Sequence, residues 1–238
     1  MKTIIGKVTA IKKIDVKSKR YDISVEDNHN FFANDILVHN CQSYPDILTE
    51  LIALNIEVIG TMKMDGTSFT AYLKDGAFGV CSRNMELLET DGNAYWKAIR
   101  SLDVEQKMRD YFGDRNIVSQ GELIGNGIQG NRMGFNGTTM HFFNLYDVSV
   151  GKYLSTDELI DFTNKTNLNM VPIVFRGILP EHTTVESLLK MSDELKYQNG
   201  LPAEGIVWRP VTEIDSKVLK GRLSVKVVSN VFLEKYKE

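Results

Sequence analysis

The feature that most constrains this chain is a change of texture at Cys41. Ahead of it, residues 3–38 form short β-branched and aromatic runs (TIIGKVTAI, YDISVE, NFFA, ILV), punctuated by Asp27-Asn28-His29-Asn30 and Asn34-Asp35. That pattern reads as strands without a helix. A piece of about 40 residues buries too little apolar surface to fold alone, and this one has no cysteine or metal-ligand cluster to staple it. It therefore needs a partner, in cis or in trans.

Behind Cys41 the punctuation changes. Ser43-Tyr44-Pro45-Asp46 is a helix start with apolar residues at 47, 48, 51, 52 and 54, and residues 56–62 then read as a strand. Residues 69–73 and 77–81 flank Lys74-Asp75-Gly76, a hairpin signal. Residues 93–111 read as one helix, 117–123 and 140–148 as strands, and Ser155-Thr156-Asp157-Glu158 as a capping box opening a helix to about Thr166. A further helix is expected over 184–195, with last strands at 205–208 and 223–229. Hairpins mixed with non-alternating helices predict an α+β domain with antiparallel sheets over residues 41–238, after a separate all-β piece over residues 1–40.

Composition narrows the class. Lys7, Lys12 and Lys13 interrupt the N-terminal apolar runs, and no stretch approaches the ~20 apolar residues of a membrane helix, so a cytoplasmic, membrane-free protein is expected. Cys41 and Cys81 are the two cysteines of the chain and provide no disulfide framework. The net charge is −3, and of 28 Lys/Arg and 31 Asp/Glu only seven and five lie in residues 1–40. The larger part is thus acidic, and any nucleic-acid contact needs a local patch. Lys217, Lys220, Arg222, Lys235 and Lys237 form a modest basic tail that reads equally as a solvated face.

Three adjacent residues at the break have complementary chemistry. The Asn40 amide can attack its own main-chain carbonyl and cut the bond to Cys41, His39 can move the proton, and the Cys41 thiolate can capture an acyl group. YDISVEDNHNFFANDILVHN followed by Cys resembles the C-terminal fragment of an intein. The resemblance implies a Hint-type fold completed by an N-terminal intein half on another chain, with His29 assisting splicing, His39 assisting cyclisation, Asn40 cyclising and Cys41 heading the product. Asn28 stands where many inteins have Asp, and no starting cysteine or upstream Thr-x-x-His is present, which implies splicing in trans.

A second constellation runs through residues 41–238: Lys63-Met64-Asp65-Gly66 after a strand, Ser82-Arg83-Asn84, Gly121-Glu122, Leu145-Tyr146-Asp147-Val148, Glu204-Gly205-Ile206-Val207 and Val225-Lys226-Val227. A lysine amine attacks the α-phosphate of ATP when burial, a cation or a metal favours its neutral form. Gly66 suits close backbone approach, and Asp65 would hold the loop or tune the lysine. The order of motifs resembles the covalent nucleotidyltransferases, the ATP-dependent ligases and capping enzymes. That resemblance implies Lys63 as nucleophile, Arg83 and Glu122 on ribose and phosphate, Tyr146 stacked on adenine, Glu204 on Mg²⁺ or Mn²⁺, and Lys226 at the α-phosphate.

Gly125-Asn126-Gly127-Ile128-Gln129-Gly130-Asn131, directly after Glu122, resembles the ATP-dependent RNA ligases, the group with phage end-joining and RNA-editing enzymes. Val228 stands where related ligases often have a second lysine, and 12 residues follow Lys226, too few for a C-terminal OB domain. The resemblance therefore implies an OB domain placed first and delivered by the partner that carries the N-terminal intein half, with RNA ends or nicked duplex as substrate. A DNA ligase, a GTP-using capping enzyme and a non-catalytic nucleotide- or RNA-binding module stay open. They separate by substrate preference, by which nucleotide becomes attached, and by stabilisation without an adduct; for residues 1–40 the alternative is an ordinary β-extension.

Overall fold

The computed structural model describes residues 30–33, 36–39 and 45–236, the first two stretches and Pro45 by backbone alone. The chain divides into two units, Met1–Tyr44 and Pro45–Glu238, considered separately below. In the first, β1 (Asn30–Ala33) and β2 (Ile36–His39) pair antiparallel from Asn30 opposite His39 to Ala33 opposite Ile36.

The second unit opens with α1 (Pro45–Ala53), β3 (Glu57–Lys63), β4 (Thr67–Lys74), β5 (Ala77–Cys81), α2 (Ala94–Ser101) and α3 (Val104–Phe112). It continues through β6 (Ile117–Gly125), β7 (Thr138–Asp147), β8 (Lys152–Tyr153), α4 (Thr156–Thr166), β9 (Asn169–Met170), β10 (Ile173–Ile178) and α5 (Val185–Glu194). It closes with β11 (Gly205–Pro210), β12 (Asp215–Ser216), β13 (Gly221–Arg222), β14 (Val225–Val228) and α6 (Asn230–Tyr236). Two main sheets result: β5-β4-β6-β7-β8, to which β9 adds parallel to β7, and β10-β3-β11-β14, antiparallel throughout. This is the expected α+β architecture, its sheets antiparallel except for the β7–β9 pair.

Local chemistry explains most boundaries. Asp75 and Gly76 have φ of 50° and 78°, so the β4–β5 turn is left-handed at both central positions, and Asp75 N–H donates to Asn116 Oδ1 at 2.8 Å. Ser155 Oγ accepts from Glu158 N–H at 3.2 Å while Glu158 reaches back to Ser155 N–H at 2.8 Å, the reciprocal box that starts α4. Residues 93–111 do not form one helix. Asp103 turns to φ 53° between α2 and α3, which lets both Ile99 and Val104 reach the same core. Strand β10 and helix α6, which carry weak periodicity, are additions to the expected elements.

Helices α2, α3 and α4 cover one face of the larger sheet. Phe69, Ile117, Leu123, Phe142 and Phe162 are fully buried there, each such side chain contributing roughly 1.5–3 kcal/mol of apolar transfer free energy. A smaller apolar cluster of Met64, Ile124, Met133, Val171, Tyr197, Ala203 and Phe232 backs the loop after β3. The opposite face of the larger sheet meets the four-stranded sheet across a cleft. Arg209 of β11 and Arg222 of β13 both donate to Asn144 Oδ1 of β7, at 2.5 and 2.9 Å, and thereby tie the sheets together.

Candidate active site

The cleft has a volume of about 200 Å³ and is lined by Lys63 and Glu122 and by Asn144, Arg209 and Arg222. Parity on the strands determines which side chains reach it, because cross-strand partners share a face. In the four-stranded sheet Lys63 pairs with Gly205, Thr61 with Val207, and Val207 in turn with Lys226. In the larger sheet Glu122 lies opposite His141 and Gln120 opposite Asn144. Between those two pairs the register shifts by one residue at β7, so both Phe143 and Asn144 line the cleft while Phe142 and Leu145 stay in the core.

At the lysine end, Lys63 Nζ is ion-paired with Glu204 Oε1, and their side chains are 24% and 17% exposed. Asp65, two residues on, accepts from Arg132 Nη1 at 3.1 Å. The Arg132 guanidinium lies 4.3 Å from the Tyr236 ring centroid, so α6 backs the loop that carries the lysine. Gly66 is required by contact: a Cβ there would meet Ile124 Cγ2 at 2.5 Å and the Leu123 carbonyl oxygen at 2.6 Å. At Gly205 the constraint is twofold, a φ of 149° and a Cβ position 2.1 Å from the Val227 carbonyl oxygen.

Glu122 completes this end. Burial pushes its carboxyl up to about 7; Lys63 opposes the shift, and the charges of Glu204 and Asp65 add to it. Its Oε2 is buried without a hydrogen-bond partner, although a carboxyl oxygen in such a place normally has one. His141, opposite it, is held neutral by burial and lies 3.2 Å through Nδ1 from the Met170 carbonyl. At the far end the polar groups are linked to one another: Asn144 Oδ1 accepts from both arginines, its Nδ2 donates to Gln120 Oε1 at 3.1 Å, and Arg222 is ion-paired with Glu213, while Arg209 Nε is buried without a partner.

The structure thus brings Lys63, Asp65, Gly66, Glu122 and Glu204 together. Lys226 is exposed on the cleft face of β14, one row from Lys63, and Val228 occupies the Lys63 row itself. Tyr146 lies on the same sheet face as Glu122 but opposite Val118, and lines an adjoining cleft with Tyr153 and Arg222; Phe143 and not Tyr146 is the aromatic lining beside Lys63. Arg83 is exposed in the bend after β5, away from that lining. His29, Asn40 and Cys41 lie outside the described residues, and of His39 only its backbone place at the end of β2 is described. Sequence reasoning missed Phe143, Asn144, Arg209, Arg132 and Tyr197. Phe143 and Asn144 depend on a bulge with no local signature, whereas Arg209 stands five residues after Glu204 on a strand whose alternation marks it as cleft-facing.

Among the described residues no helix is long and apolar enough to cross a membrane, and no group of three His, Cys, Asp or Glu side chains is placed to hold a metal by itself. The donors at Lys63 are carboxylates, the oxygen chemistry that Mg²⁺ or Mn²⁺ takes when substrate phosphates supply the remaining ligands.

Comparisons with known proteins agree with the geometry. A Naegleria gruberi RNA ligase variant with ATP and Mn superposes with a TM-score of 0.68 at 32% identity, over 80% of this chain and 55% of that one. A second, with AMP and Mn, gives 0.68 at 32% over 80% and 56%. The same ligase with PPi gives 0.69 at 29% over 92% and 65%, so this chain spans 55–65% of these ligases. A stretch of 53 residues is 47% identical to DNA topoisomerase 1 of Pyrococcus furiosus, covering 22% of this chain and 5% of that protein. The RNA ligase family profile matches residues 56–228, which takes in every cleft residue named above, and the chain belongs to the RNA ligase family.

Proposed function

We propose that residues 41–238 are the adenylating part of an ATP-dependent RNA ligase, acting on RNA ends or nicked duplex. The observation that carries this is the convergence on one cleft end of a partly exposed lysine, its carboxylate partner Glu204, and Glu122 with an unpartnered buried oxygen. In the first step Lys63 Nζ, as the free amine, attacks the α-phosphorus of ATP; the P–N bond forms, the bond to pyrophosphate breaks, and lysyl-AMP remains. AMP then passes to a 5′-phosphate, and a 3′-hydroxyl displaces it to close the strand.

The residues divide the work by chemistry. Glu204 holds the ammonium in place before ATP arrives, and Glu122, its carboxyl pushed up to about 7 by burial, offers its free oxygen to a sugar hydroxyl. Phe143 and Val207 give the base an apolar slot between the sheets, with Tyr146 at its far margin. Lys226, exposed on the cleft face, would meet phosphates that enter from solvent, and Arg83, on an exposed bend outside the cleft lining, would have to reach them from its margin. Glu204, with Asp65 beside it, would hold Mg²⁺ or Mn²⁺, which supplies positive charge favouring the neutral lysine amine and offsetting charge on the phosphates. Labelled AMP chased from the enzyme onto a 5′-phosphate in nicked RNA, and poorly onto nicked DNA, supports the reading; transfer to DNA alone would favour a DNA ligase.

The proposal extends to residues 1–40 as the C-terminal half of a trans-splicing intein, supported by the His29…His39-Asn40-Cys41 pattern and the paired strands before the junction. Its partner would carry the N-terminal intein half and an upstream ligase segment, an OB domain. Mixing with such a half should join the upstream segment to Cys41, and Asn40→Ala should block release of the intein. No new peptide bond would leave residues 1–40 an ordinary extension.

A further inference from the structure

We propose that Tyr197 is a positioning residue that sets the distance between the lysine nucleophile and Glu204; this rests on the adenylation reading above. Tyr197 belongs to none of the motifs. It is 4% exposed and packed among Met64, Ile124, Ala203 and Phe232. Its hydroxyl donates to the Lys63 carbonyl at 3.2 Å and accepts from the Glu204 main-chain N–H at 3.0 Å. One phenol therefore connects the backbones of the two site residues that form the ion pair.

The location matters because both strands end there. Lys63 is the last residue of β3, and Glu204 precedes Gly205, the first residue of β11 and the partner of Lys63. Beyond that pair no ladder bond fixes the two main chains, and the tyrosine bridge takes over. The tyrosine is itself anchored, since Tyr197 N–H donates to the Leu201 carbonyl at 2.8 Å and Gly200 N–H to the Tyr197 carbonyl at 2.9 Å. Burial pushes the phenol far above its ordinary range, so it remains a donor throughout the working pH of any such enzyme.

The same bridge suits a lysine that must leave its carboxylate. ATP has to separate Lys63 from Glu204, and a backbone held at both residues lets the side chains part without the strands following. Loss of the bridge should slow attack more than it weakens ATP binding, because a displacement near 1 Å costs rate through misalignment.

The test is single-turnover formation of lysyl-AMP by the full chain, for the parent, Tyr197→Phe, Glu204→Gln and the double variant, with melting temperatures alongside. Tyr197→Phe is expected to lower the maximal rate about 10-fold or more while the ATP concentration at half-maximal rate stays within about threefold. In the Glu204→Gln background the same change should have a much smaller effect, since it acts through that partner. A parent-like rate in Tyr197→Phe, or effects that multiply independently in the double variant, would overturn the proposal. So would a lower melting temperature of Tyr197→Phe with the rate per folded molecule unchanged. Failure of the parent itself to form an adduct would count against the adenylation reading and not against the bridge, which Tyr197→Phe would then test by its effect on the melting shift produced by ATP: an unchanged shift is expected, and an abolished one would contradict it.

Discussion

The two ends of the cleft put their charged groups to different uses. At the Asn144 end, two arginines, a glutamine and Glu213 are linked through the Asn144 side chain and an ion pair and bridge the sheets, although Arg209 Nε is buried without a partner. At the Lys63 end, a lysine and three carboxyl groups crowd together, one carboxyl oxygen has no partner, and a carboxyl is pushed up to about 7. Buried polar groups that complete a network specify a structure, whereas groups left incomplete cost stability unless something binds them. One end links the two sheets side chain to side chain, while the other gathers a partly exposed lysine and its carboxyl groups where a ligand can reach them.

Lys63→Ala should give the largest effect and sharpen the contrast: no AMP adduct at any ATP concentration, with stability close to the parent, because the residue is partly exposed and its loss relieves no core. Asn144→Ala should do the reverse. It removes the shared acceptor of two arginines, one of them only 3% exposed, and should cost on the order of 3 kcal/mol in denaturant unfolding. If Asn144→Ala instead left stability intact and abolished only the adduct, the division between the ends would be broken.

Glu122→Gln should stabilise the protein, and only above a certain pH. The folded carboxyl titrates near 7 against an ordinary 4.5, so the folded state binds the extra proton between those values and stability falls as pH rises through the window. At pH 8 the variant should therefore melt higher by roughly 2–3 kcal/mol of stability, with the difference vanishing near pH 4, while adduct formation falls. A pH-independent difference in melting would show that the carboxyl is not held as described. Ser155→Ala, remote from both ends, should cost about 1 kcal/mol through the lost cap of α4 and leave adduct formation unchanged.

The same contrast governs what the sequence makes legible. The lysine end is written in short contiguous motifs, because Lys63, Asp65 and Gly66 lie on one loop and Glu122 and Glu204 each stand beside a glycine at a strand position. The Asp75-Gly76 turn and the Ser155 capping box are equally local, and both form as expected. The Asn144 end is not local. Strict alternation through β7 would place Asn144 with Phe142 in the core, and only the register shift opposite Gly121 turns it, with Phe143, into the cleft. The break at Asp103 escapes for a related reason: the periodicity of residues 93–111 continues through it, and tertiary packing of Val104 decides. Tyr197 gives no signal at all, since its role lies in main-chain bonds to residues far away in sequence.

The central claim is that Lys63 becomes covalently attached to AMP. Intact mass of the full chain after incubation with ATP and Mg²⁺ or Mn²⁺, beside Lys63→Ala, tests it most directly. A gain of one AMP in the parent and none in the variant is expected. An unchanged parent mass, or the same gain in Lys63→Ala, would contradict it.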